Sequence, residues 1–366
     1  MRLSAALIVR DEAQRLPDCL SSIRAVVDEI VVVDTGSVDD TVQIAESFDA
    51  LVLHRPWDDS FSAPRNLGLD HVTGDWVLYI DADERLAPTS RDHIEAQLAD
   101  PDDRHIAMRL RLRARADFSP AWEYRLWRNR PEIRFEGVIH ETVVPAIHQL
   151  AAAEGTTIGE ADLLLLHEGY EGDLTAKHHR NIPMLERQIG NDPDRTYLWD
   201  ELGRARHALG EVDAAKEAWR HAVGIVRRRG VQQPPDCLCF VDLIVACAAD
   251  GAPEPDLVAE ADELFADNPL VMWAGAVDAG ARQDHQTVID RVDRLLAIDP
   301  DTTARSLMVH VRVTGDWALH ARGMARFQLG DLRGAATDFA AAEALDPANA
   351  EYRTKRLLAE SVAARS

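Results

Sequence analysis

Residues 1–80 alternate short apolar runs with segments whose apolar side chains recur at helical spacing. The strand-like runs are Leu3–Val9, Ile30–Val33, Ala50–Leu53 and Trp76–Ile80, and the helical patterns cover Arg15–Val27 and Thr41–Phe48. Strands that alternate with helices at this spacing predict a parallel, doubly wound α/β sheet. Such sheets bind ligands at the carboxyl ends of their strands, so the polar residues that follow these runs are the first candidates for a site.

From about Asp173 onward the sequence shows only helical patterns. Two segments fit a helix-turn-helix repeat of about 34 residues, with small residues where paired helices touch and large residues between them. The first segment contributes Trp199, Leu202, Gly203, Gly210, Ala215, Trp219 and Ala222, and the second contributes Leu319, Gly323, Gly330, Ala335, Phe339, Ala342 and Pro347. This pattern is similar to the tetratricopeptide repeat (TPR), with a generic helical bundle as the alternative.

Segments that end at Asn268–Pro269 and Asp299–Pro300 resemble degenerate copies of the same repeat. Repeats of this kind bury their faces only by stacking on one another, and they present a concave surface. The second half of the chain is therefore expected to be a scaffold for binding or for oligomerisation.

The composition excludes several classes of partner. A formal net charge of −23 disfavours nucleic acid, which requires a basic surface, and it disfavours an anionic membrane. The sequence has no long uninterrupted apolar segment and no signal-peptide pattern, so we expect a cytoplasmic protein without a membrane span. Its four cysteines lack the spacing of a zinc site and are expected to be small buried residues.

Asp81 and Asp83 directly follow the apolar run Trp76–Ile80. Because side chains alternate along a strand, the two carboxylates point to the same side where the strand leaves the sheet. Carboxylate oxygens suit Mg²⁺ or Mn²⁺, which prefer oxygen ligands and often bind substrate phosphates as well. A solvated turn is the alternative interpretation. Asp34 ends the second strand-like run, so the predicted sheet brings it to the same edge.

Several motifs, ordered along roughly residues 1–200, resemble a known enzyme family. They are Leu7–Glu12, Val31–Thr41, Ala63–Gly68, Gly74–Glu84, Arg125–Arg128, Phe135–Glu141, His167–Tyr170, and Lys177 with Arg180–Asn181. Together they are similar to the inverting nucleotide-sugar glycosyltransferases of the GT-A fold. The likeness is closer to a branch that includes lipopolysaccharide-core glucosyltransferases and TPR-tailed enzymes that glycosylate cysteine in bacteriocin peptides.

The resemblance implies that the donor nucleotide sugar binds at the carboxyl edge of the sheet. The residues implied in donor binding are Val9, Arg10, Glu12, Asp34, Gly36, Arg65, Asn66, Asp81 and Ala82. Asp34 would supply an acceptor for the base or the ribose, although Ser37 and Asp39 nearby would serve as helix caps in any protein. Arg65 offers a planar fork that suits phosphate oxygens.

The resemblance also implies a bound Mg²⁺ or Mn²⁺. Asp83 would be the direct ligand, with Asp81 near the metal and the donor ribose. A further ligand often arrives from a later strand end, and both His167 and His140 qualify. We prefer His167 because it follows the last apolar run, Leu163–Leu166.

Inversion at the anomeric carbon requires a general base that removes the proton of the acceptor. Glu141, in the His140–Glu141 pair, is our candidate for this catalytic role. The alternative is that Glu141 forms an ion pair with Arg125 or Arg134. The sequence lacks the Glu-Asp dipeptide that many similar enzymes use as the base.

These inferences predict an α/β GT-A, Rossmann-like domain over residues 1–170, a linking helix over 171–195 and an all-α TPR-like domain over 196–366. The expected function is metal-dependent, inverting transfer of a hexose from an NDP-sugar, first of all a UDP-sugar. The acceptor would be a peptide or protein held by the repeats, which could instead pair two chains into a homodimer. The alternative is a non-catalytic TPR adaptor whose α/β domain binds nucleotide sugar without turnover.

Overall fold

The computed structural model describes residues 1–99, 104–167, 174–298 and 307–365. The chain divides into two compact units, residues 1–116 with 120–173, and residues 117–119 with 174–366. The first unit combines helices with a sheet and the second is built from helices, so the predicted fold class is confirmed. The predicted border at residue 170 and the proposed repeat end at Asp299–Pro300 lie outside the described residues.

The first unit contains an eight-stranded sheet with the strand order β3-β2-β1-β4-β7-β6-β8-β5. The strands are β1 (Leu3–Val9), β2 (Glu29–Asp34), β3 (Leu51–His54), β4 (Trp76–Tyr79), β5 (Glu84–Leu86), β6 (His105–Arg113), β7 (Ala121–Arg128) and β8 (Thr157–His167). The first four pair in parallel, as their alternation with helices predicts. Val31, Val32 and Val33 are fully buried, because helices or loops cover both faces of such a sheet.

The remainder of the sheet is mixed, and it lies beyond residues 1–80, whose pattern predicted the parallel arrangement. Strand β7 pairs antiparallel with β4 and with β6, whereas β8 pairs parallel with β6 and antiparallel with β5. The β6–β7 connection is too short for a crossover helix, so the two strands form an antiparallel pair. Through the pairings of β7 and β6, strand β8 extends beyond the carboxyl end of β4. His167 is the last residue of β8.

The helices that accompany the sheet in the described residues are α1 (Leu16–Ile23), α2 (Thr41–Ser47), α3 (Ser62–Leu69), α4 (Arg91–Leu98) and α5 (Val144–Glu154). Helix α1 has a proline in its first turn, where no intrahelical hydrogen bond is lost. Its buried residues Leu16, Cys19, Leu20 and Ile23 recur at helical spacing and form one apolar face.

Helix α3 lies close to the sheet because small residues face it. A Cβ atom added to Gly68 would lie 3.4 Å from a methyl group of Val33, so the helix and β2 are in van der Waals contact there. Ser62, Pro64, Gly68 and Leu69 are buried on this side. The close approach fixes where the same helix places Arg65 and Asn66.

The second unit is a succession of helices in its described part. They are α6 (Thr175–Asn191), α7 (Thr196–Ala208), α8 (Val212–Arg229), α9 (Asp236–Ala249), α10 (Pro255–Leu264), α11 (Pro269–Ala281), α12 (His285–Leu296), α13 (Asp316–Gln328), α14 (Leu332–Leu345) and α15 (Ala350–Ala363). In the residues that the structure describes, no helix has both the length and the apolar character needed to cross a membrane.

The two segments that fit the repeat pattern make equivalent contacts. Gly203 on α7 lies against the indole of Trp219 on α8, and Gly323 on α13 lies against the ring of Phe339 on α14. Both aromatic rings are almost completely buried. A glycine is needed at each contact because the ring of the second helix occupies the space of a Cβ atom. The predicted helical repeats are thus confirmed in these helix pairs.

Alanine at position 203 is expected to destabilise the second unit by about 1–3 kcal/mol, because the added methyl group would overlap Trp219. Gly224 on α8 provides the matched control. The nearest atom to a Cβ there is 3.6 Å away, at the tip of Arg228. Gly224→Ala should be neutral or stabilising by up to about 1 kcal/mol, since alanine favours a helix over glycine. Urea denaturation of both variants checks this, and equal effects would contradict it.

Candidate active site

The carboxyl ends of β2, β4 and β8 bring most of the predicted site residues to one edge of the sheet. Asp34 is the last residue of β2, Asp81 and Asp83 follow β4, and His167 ends β8. Arg65 reaches the same edge from α3, and Glu141 reaches it from the segment before α5. The structure therefore assembles residues that are far apart in the sequence.

Arg65 joins two carboxylates. Its Nη1 donates to Oδ1 of Asp81 over 3.0 Å, and its Nε donates to Oε1 of Glu141. The guanidinium lies 4.4 Å from the centre of the Tyr79 ring, and its side chain is only 9% exposed. Glu141 is thus in a buried ion pair, as the alternative interpretation allowed, but its partner is Arg65. Arg125 and Arg134 pair instead with Glu84 and with Asp70.

Asp81 is held from several sides. Oδ1 also accepts a hydrogen bond from the Tyr79 hydroxyl over 2.9 Å, and Oδ2 lies 3.6 Å from Nη1 of Arg125. Burial raises the pKa of Asp81, but Arg65 and Arg125 outweigh it and lower that pKa to about 2. Asp81 is therefore a carboxylate whose oxygens already face protein donors. Asp83 therefore stays the first candidate for direct metal ligation.

Glu84 closes the turn that carries both aspartates. Its Oε2 accepts the backbone N–H of Asp81 over 2.9 Å, and its Oε1 accepts a hydrogen bond from Arg125 over 2.7 Å. The side chain of Glu84 is 1% exposed. Burial raises its pKa to about 7, although the charge of Arg125 acts in the opposite direction. The Asp81–Glu84 turn is thus fixed by a glutamate and an arginine that the sequence analysis did not assign to the site.

Arg125 reaches this turn because β7 contains a β-bulge. The register pairs Met108 with Leu126 and Arg109 with Tyr124, which leaves Arg125 as the extra residue. A bulge redirects the side chain it carries, and bulges are frequent beside active sites. Arg125 lies over the ring of Tyr79, 4.6 Å from its centre. In the sequence, the Arg125–Arg128 motif was the signal that could have identified Arg125 as a site residue.

Asp83 and His167 form the candidate metal site. Nε2 of His167 lies 3.3 Å from Oδ2 of Asp83, because β5 and β8 pair Glu84 with His167. Burial lowers the pKa of His167, but the carboxylates around it, first of all Asp83, raise it above its ordinary value. Within the described residues, no three histidine, cysteine, aspartate or glutamate side chains form a metal site. A carboxylate and an imidazole still fit Mn²⁺ or Mg²⁺, which usually takes its remaining ligands from water and substrate phosphates.

Asp34 organises the neighbouring turn. It accepts hydrogen bonds from the backbone N–H groups of Gly36 and Ser37 at 3.2 and 3.1 Å, and His54 lies 3.5 Å away. Burial raises the pKa of Asp34, but these hydrogen bonds outweigh it and lower the pKa below its ordinary value. Gly36 has a φ of 110°, which favours glycine. Asp39 accepts hydrogen bonds from the N–H and the hydroxyl of Thr41, the first residue of α2, whereas the N-cap position itself is occupied by Asp40.

A pocket of about 480 Å³ opens beside this turn. It is lined by Arg10, Asp34, Thr35, Gly36, His54, Arg55, Pro56 and Trp57. The sequence analysis missed the residues from β3 and the loop after it. The end of the strand-like run Ala50–Leu53 was the signal that could have identified them, because the carboxyl end of that strand lies at the same edge.

The remaining residues predicted to bind the donor have other observed contacts. The amide of Asn66 is engaged with the backbone of Phe135, from which it accepts at 2.8 Å and to which it donates at 2.9 Å. Asn66 thus positions the segment that leads to Glu141. Val9 and Ala82 are buried, so they could offer only backbone atoms to a ligand. Glu12 lies near Asp83, and its pKa is raised by burial and by the charge of Asp83.

His140 precedes Glu141 with a φ of 49°, a left-handed conformation that is uncommon for residues other than glycine. The histidine in contact with Asp83 is His167. Of the motif that begins at His167, residues 168–170 lie outside the described residues. The geometry thus supports the preference for His167, while the catalytic role of His140 stays a prediction.

The first unit also matches a known protein family. Residues 4–149 match the model of glycosyl transferase family 2. The resemblance inferred from the motifs is therefore confirmed for this part of the chain. The match covers the strands and helices that carry Asp34, Arg65, the Asp81–Glu84 turn and Glu141.

Individual relatives extend the similarity into the second half. The chain is 37% identical over 221 residues to a TPR repeat-containing protein of Synechococcus elongatus, an alignment that covers 59% of this chain and 55% of the relative. It is 24% identical over 250 residues to the SPbeta prophage-derived glycosyltransferase SunS of Bacillus subtilis, covering 66% of this chain and 57% of SunS. An uncharacterized glycosyltransferase of Rickettsia felis is 38% identical over 112 residues, which cover 30% of this chain and 39% of that protein. The chain thus spans about half the length, or less, of these relatives.

Solved structures resemble the chain more loosely. Glucosyl-3-phosphoglycerate synthase from Mycobacterium tuberculosis, in complex with Mn²⁺, UDP and glucosyl-3-phosphoglycerate, aligns with a TM-score of 0.36 and 18% identity. That alignment covers 51% of this chain and 80% of the synthase. Residues 1–349 of TarS from S. aureus align with a TM-score of 0.36 and 14% identity, over 80% of this chain and 91% of that one.

Proposed function

We propose that this protein is a metal-dependent, inverting glycosyltransferase that moves a hexose from an NDP-sugar to an acceptor. The first candidate for the donor is a UDP-hexose. The observation that carries the proposal is the cluster at the carboxyl edge of the sheet. There Arg65 joins Asp81 to Glu141, and Asp83 contacts His167. The family match over residues 4–149, which include all of these residues except His167, supports glycosyl transfer as the chemistry.

The nucleoside would occupy the pocket beside Asp34. Its volume of about 480 Å³ lies in the usual range for a ligand site. Trp57 offers a flat apolar face and Asp34 a carboxylate acceptor, while Arg10 and Arg55 offer positive charge in a strongly acidic chain. Such a combination suits a nucleotide, which presents an aromatic base, hydroxyl groups and phosphates.

Asp83 and His167 would hold the divalent ion beside this pocket. When bound, the ion would stabilise the negative charge that builds on the diphosphate leaving group. Glu84 and Arg125 would keep the turn of Asp83 in place during this step. Arg65 would orient Asp81 and offer a further positive charge to the diphosphate.

Glu141 is the general base predicted from the sequence, and His140 is its predicted catalytic neighbour. The side chain of Glu141 is 9% exposed and carries the charge that Arg65 neutralises. The proton of the acceptor would have to reach a carboxylate in this region of the site.

The second unit would supply the acceptor, a peptide or protein held by its helical repeats. Repeat scaffolds present extended surfaces that suit a flexible chain. The same surface could instead pair two copies into a homodimer, which analytical ultracentrifugation would detect. We propose a cytoplasmic location, consistent with the expectation from the sequence.

A thermal-shift panel tests the donor assignment. Wild type is heated with UDP-glucose, UDP-galactose, UDP-N-acetylglucosamine or GDP-mannose, with and without Mn²⁺. A donor at a hundred times its dissociation constant should add about 2.7 kcal/mol of stability. Asp83→Ala should lose the metal-dependent part, whereas Glu46→Ala, on the exposed side of α2, should keep it.

Failure of every donor to stabilise wild type in a metal-dependent way would contradict the donor assignment. Turnover measured on the same samples separates an enzyme from a non-catalytic adaptor. Donor binding without hydrolysis or transfer would favour the adaptor. Release of the nucleoside diphosphate by wild type, but not by Asp83→Ala, would support the proposed glycosyltransferase.

A further inference from the structure

One carboxylate near the candidate site has no assigned role, that of Glu123 on β7. Strand β7 runs antiparallel to β4, with Leu126 opposite Leu78, and β4 ends one residue later at Tyr79. The part of β7 that precedes the Arg125 bulge therefore extends beyond the end of β4. Glu123 lies in this extension, beyond the carboxyl end of β4, which Asp81 also follows.

Glu123 differs from the other carboxylates around this edge in having no hydrogen-bond or ion-pair partner among the described residues. Within the described chain, no hydrogen bond or ion pair holds it, and its interaction is with the charge of Arg125. The others are engaged: Asp34 by backbone N–H groups, Asp81 and Glu141 by Arg65, Glu84 by Arg125, and Asp83 by His167.

Glu123 has a buried apolar neighbour on the next strand. On β6 its register partner is Leu110, which is fully buried. Glu123 itself is partly buried, and burial raises its pKa, although the charge of Arg125 acts against this. A partly desolvated carboxylate with free lone pairs has the properties of a general base near neutral pH.

We infer that Glu123 is the general base of the proposed glycosyl transfer, an inference that rests on the proposed function. An oxygen of the Glu123 carboxylate takes the proton from the O–H, N–H or S–H group of the acceptor. The lone pair of that acceptor atom forms the bond to the anomeric carbon. The bond from this carbon to the diphosphate oxygen breaks, and its electron pair leaves with the nucleoside diphosphate.

Glu123 suits this role better than Glu141. The Oε1 atom of Glu141 already accepts an N–H of Arg65. Proton uptake at Glu141 would therefore work against its ion pair. Proton uptake at Glu123 breaks no hydrogen bond or ion pair of the described residues.

The test compares wild type with Glu123→Gln and Glu141→Gln, with Mn²⁺ and the sugar nucleotide of the panel that wild type hydrolyses fastest. Glutamine keeps the size of glutamate but cannot take the proton. We expect kcat of Glu123→Gln to fall by at least roughly 100-fold. Its dissociation constant for the donor and its melting temperature should match wild type. Glu123→Asp should recover part of the activity.

Sodium azide provides the decisive readout, because the azide anion is a nucleophile that needs no deprotonation. It should restore turnover in Glu123→Gln with a glycosyl azide as product, and it should not do so in Asp83→Ala. Turnover of Glu123→Gln close to wild type, or a loss that azide does not restore, overturns the assignment of Glu123. Azide rescue of Glu141→Gln alone assigns the base to Glu141. Absence of turnover by wild type with every donor instead overturns the proposed function itself.

Discussion

Replacement of Arg65 by methionine is expected to abolish glycosyl transfer and to lower the free energy of unfolding by about 3–5 kcal/mol. Methionine fills much of the same volume but leaves Asp81 and Glu141 without the cation between them. Both carboxylates lie in the interior of the site, and Arg65 is itself 9% exposed. Urea denaturation and a turnover assay measure the two effects.

Arg24→Met is the matched control. Arg24 pairs with Asp49 at 3.1 Å, but both side chains are more than half exposed, so its replacement should change stability by less than about 1 kcal/mol. Arg65→Lys should also have reduced turnover, because one ammonium group cannot reproduce the two hydrogen bonds that the guanidinium donates to Asp81 and Glu141. An unfolding free energy of Arg65→Met that equals that of Arg24→Met would contradict the buried-charge explanation.

Arg125→Gln is expected to cost about 3–5 kcal/mol near pH 8 in metal-free protein, because it leaves Glu84 as an uncompensated buried charge. The cost should shrink near pH 5. The pKa of Glu84 is raised from 4.5 to about 7 in the folded protein, so protonation of Glu84 stabilises the fold. That stabilisation is complete below pH 4.5 and is lost as the pH rises through about 7. Without Arg125 the pKa of Glu84 should rise further.

The double variant Arg125→Gln with Glu84→Gln should recover much of the stability near pH 8, since it removes both charges together. Arg111→Gln, a half-exposed arginine on the neighbouring strand β6, serves as the control with little effect. Thermal unfolding between pH 5 and pH 8 in the presence of EDTA checks the series. A deficit of Arg125→Gln that does not depend on pH would rule out Glu84 as its origin.

The first four strands and the position of the Asp81–Asp83 pair could be predicted from the sequence because their signals are local. An apolar run and the polar residue that follows it are neighbours in the chain, and the carboxyl ends of parallel strands meet by geometry alone. The repeat contacts of Gly203 and Gly323 were predictable for the same reason. A fixed spacing of small and large residues encodes each helix pair.

The partners of these residues could not be predicted in the same way. Glu141 meets Arg65 across 76 positions of sequence, and Glu84 meets Arg125 across 41. Such pairs depend on how the antiparallel half of the sheet is joined to the parallel half. The sequence analysis therefore named Arg125 as a possible partner of Glu141, whereas the fold gives each carboxylate a different arginine. The contact of Asn66 with Phe135 could not be predicted for a similar reason, since the two residues are 69 positions apart in the sequence.

The extra residue at Arg125 constrains the length of β7. Removal of one residue there would let β6 and β7 pair without interruption, and the sheet would gain a regular ladder. The same deletion would turn the residues before it to the opposite face, because side chains alternate along a strand. On the proposed function, the protein with the more regular sheet would therefore be the poorer catalyst. Insertions and deletions in β7 should be tolerated by the fold more readily than by the reaction.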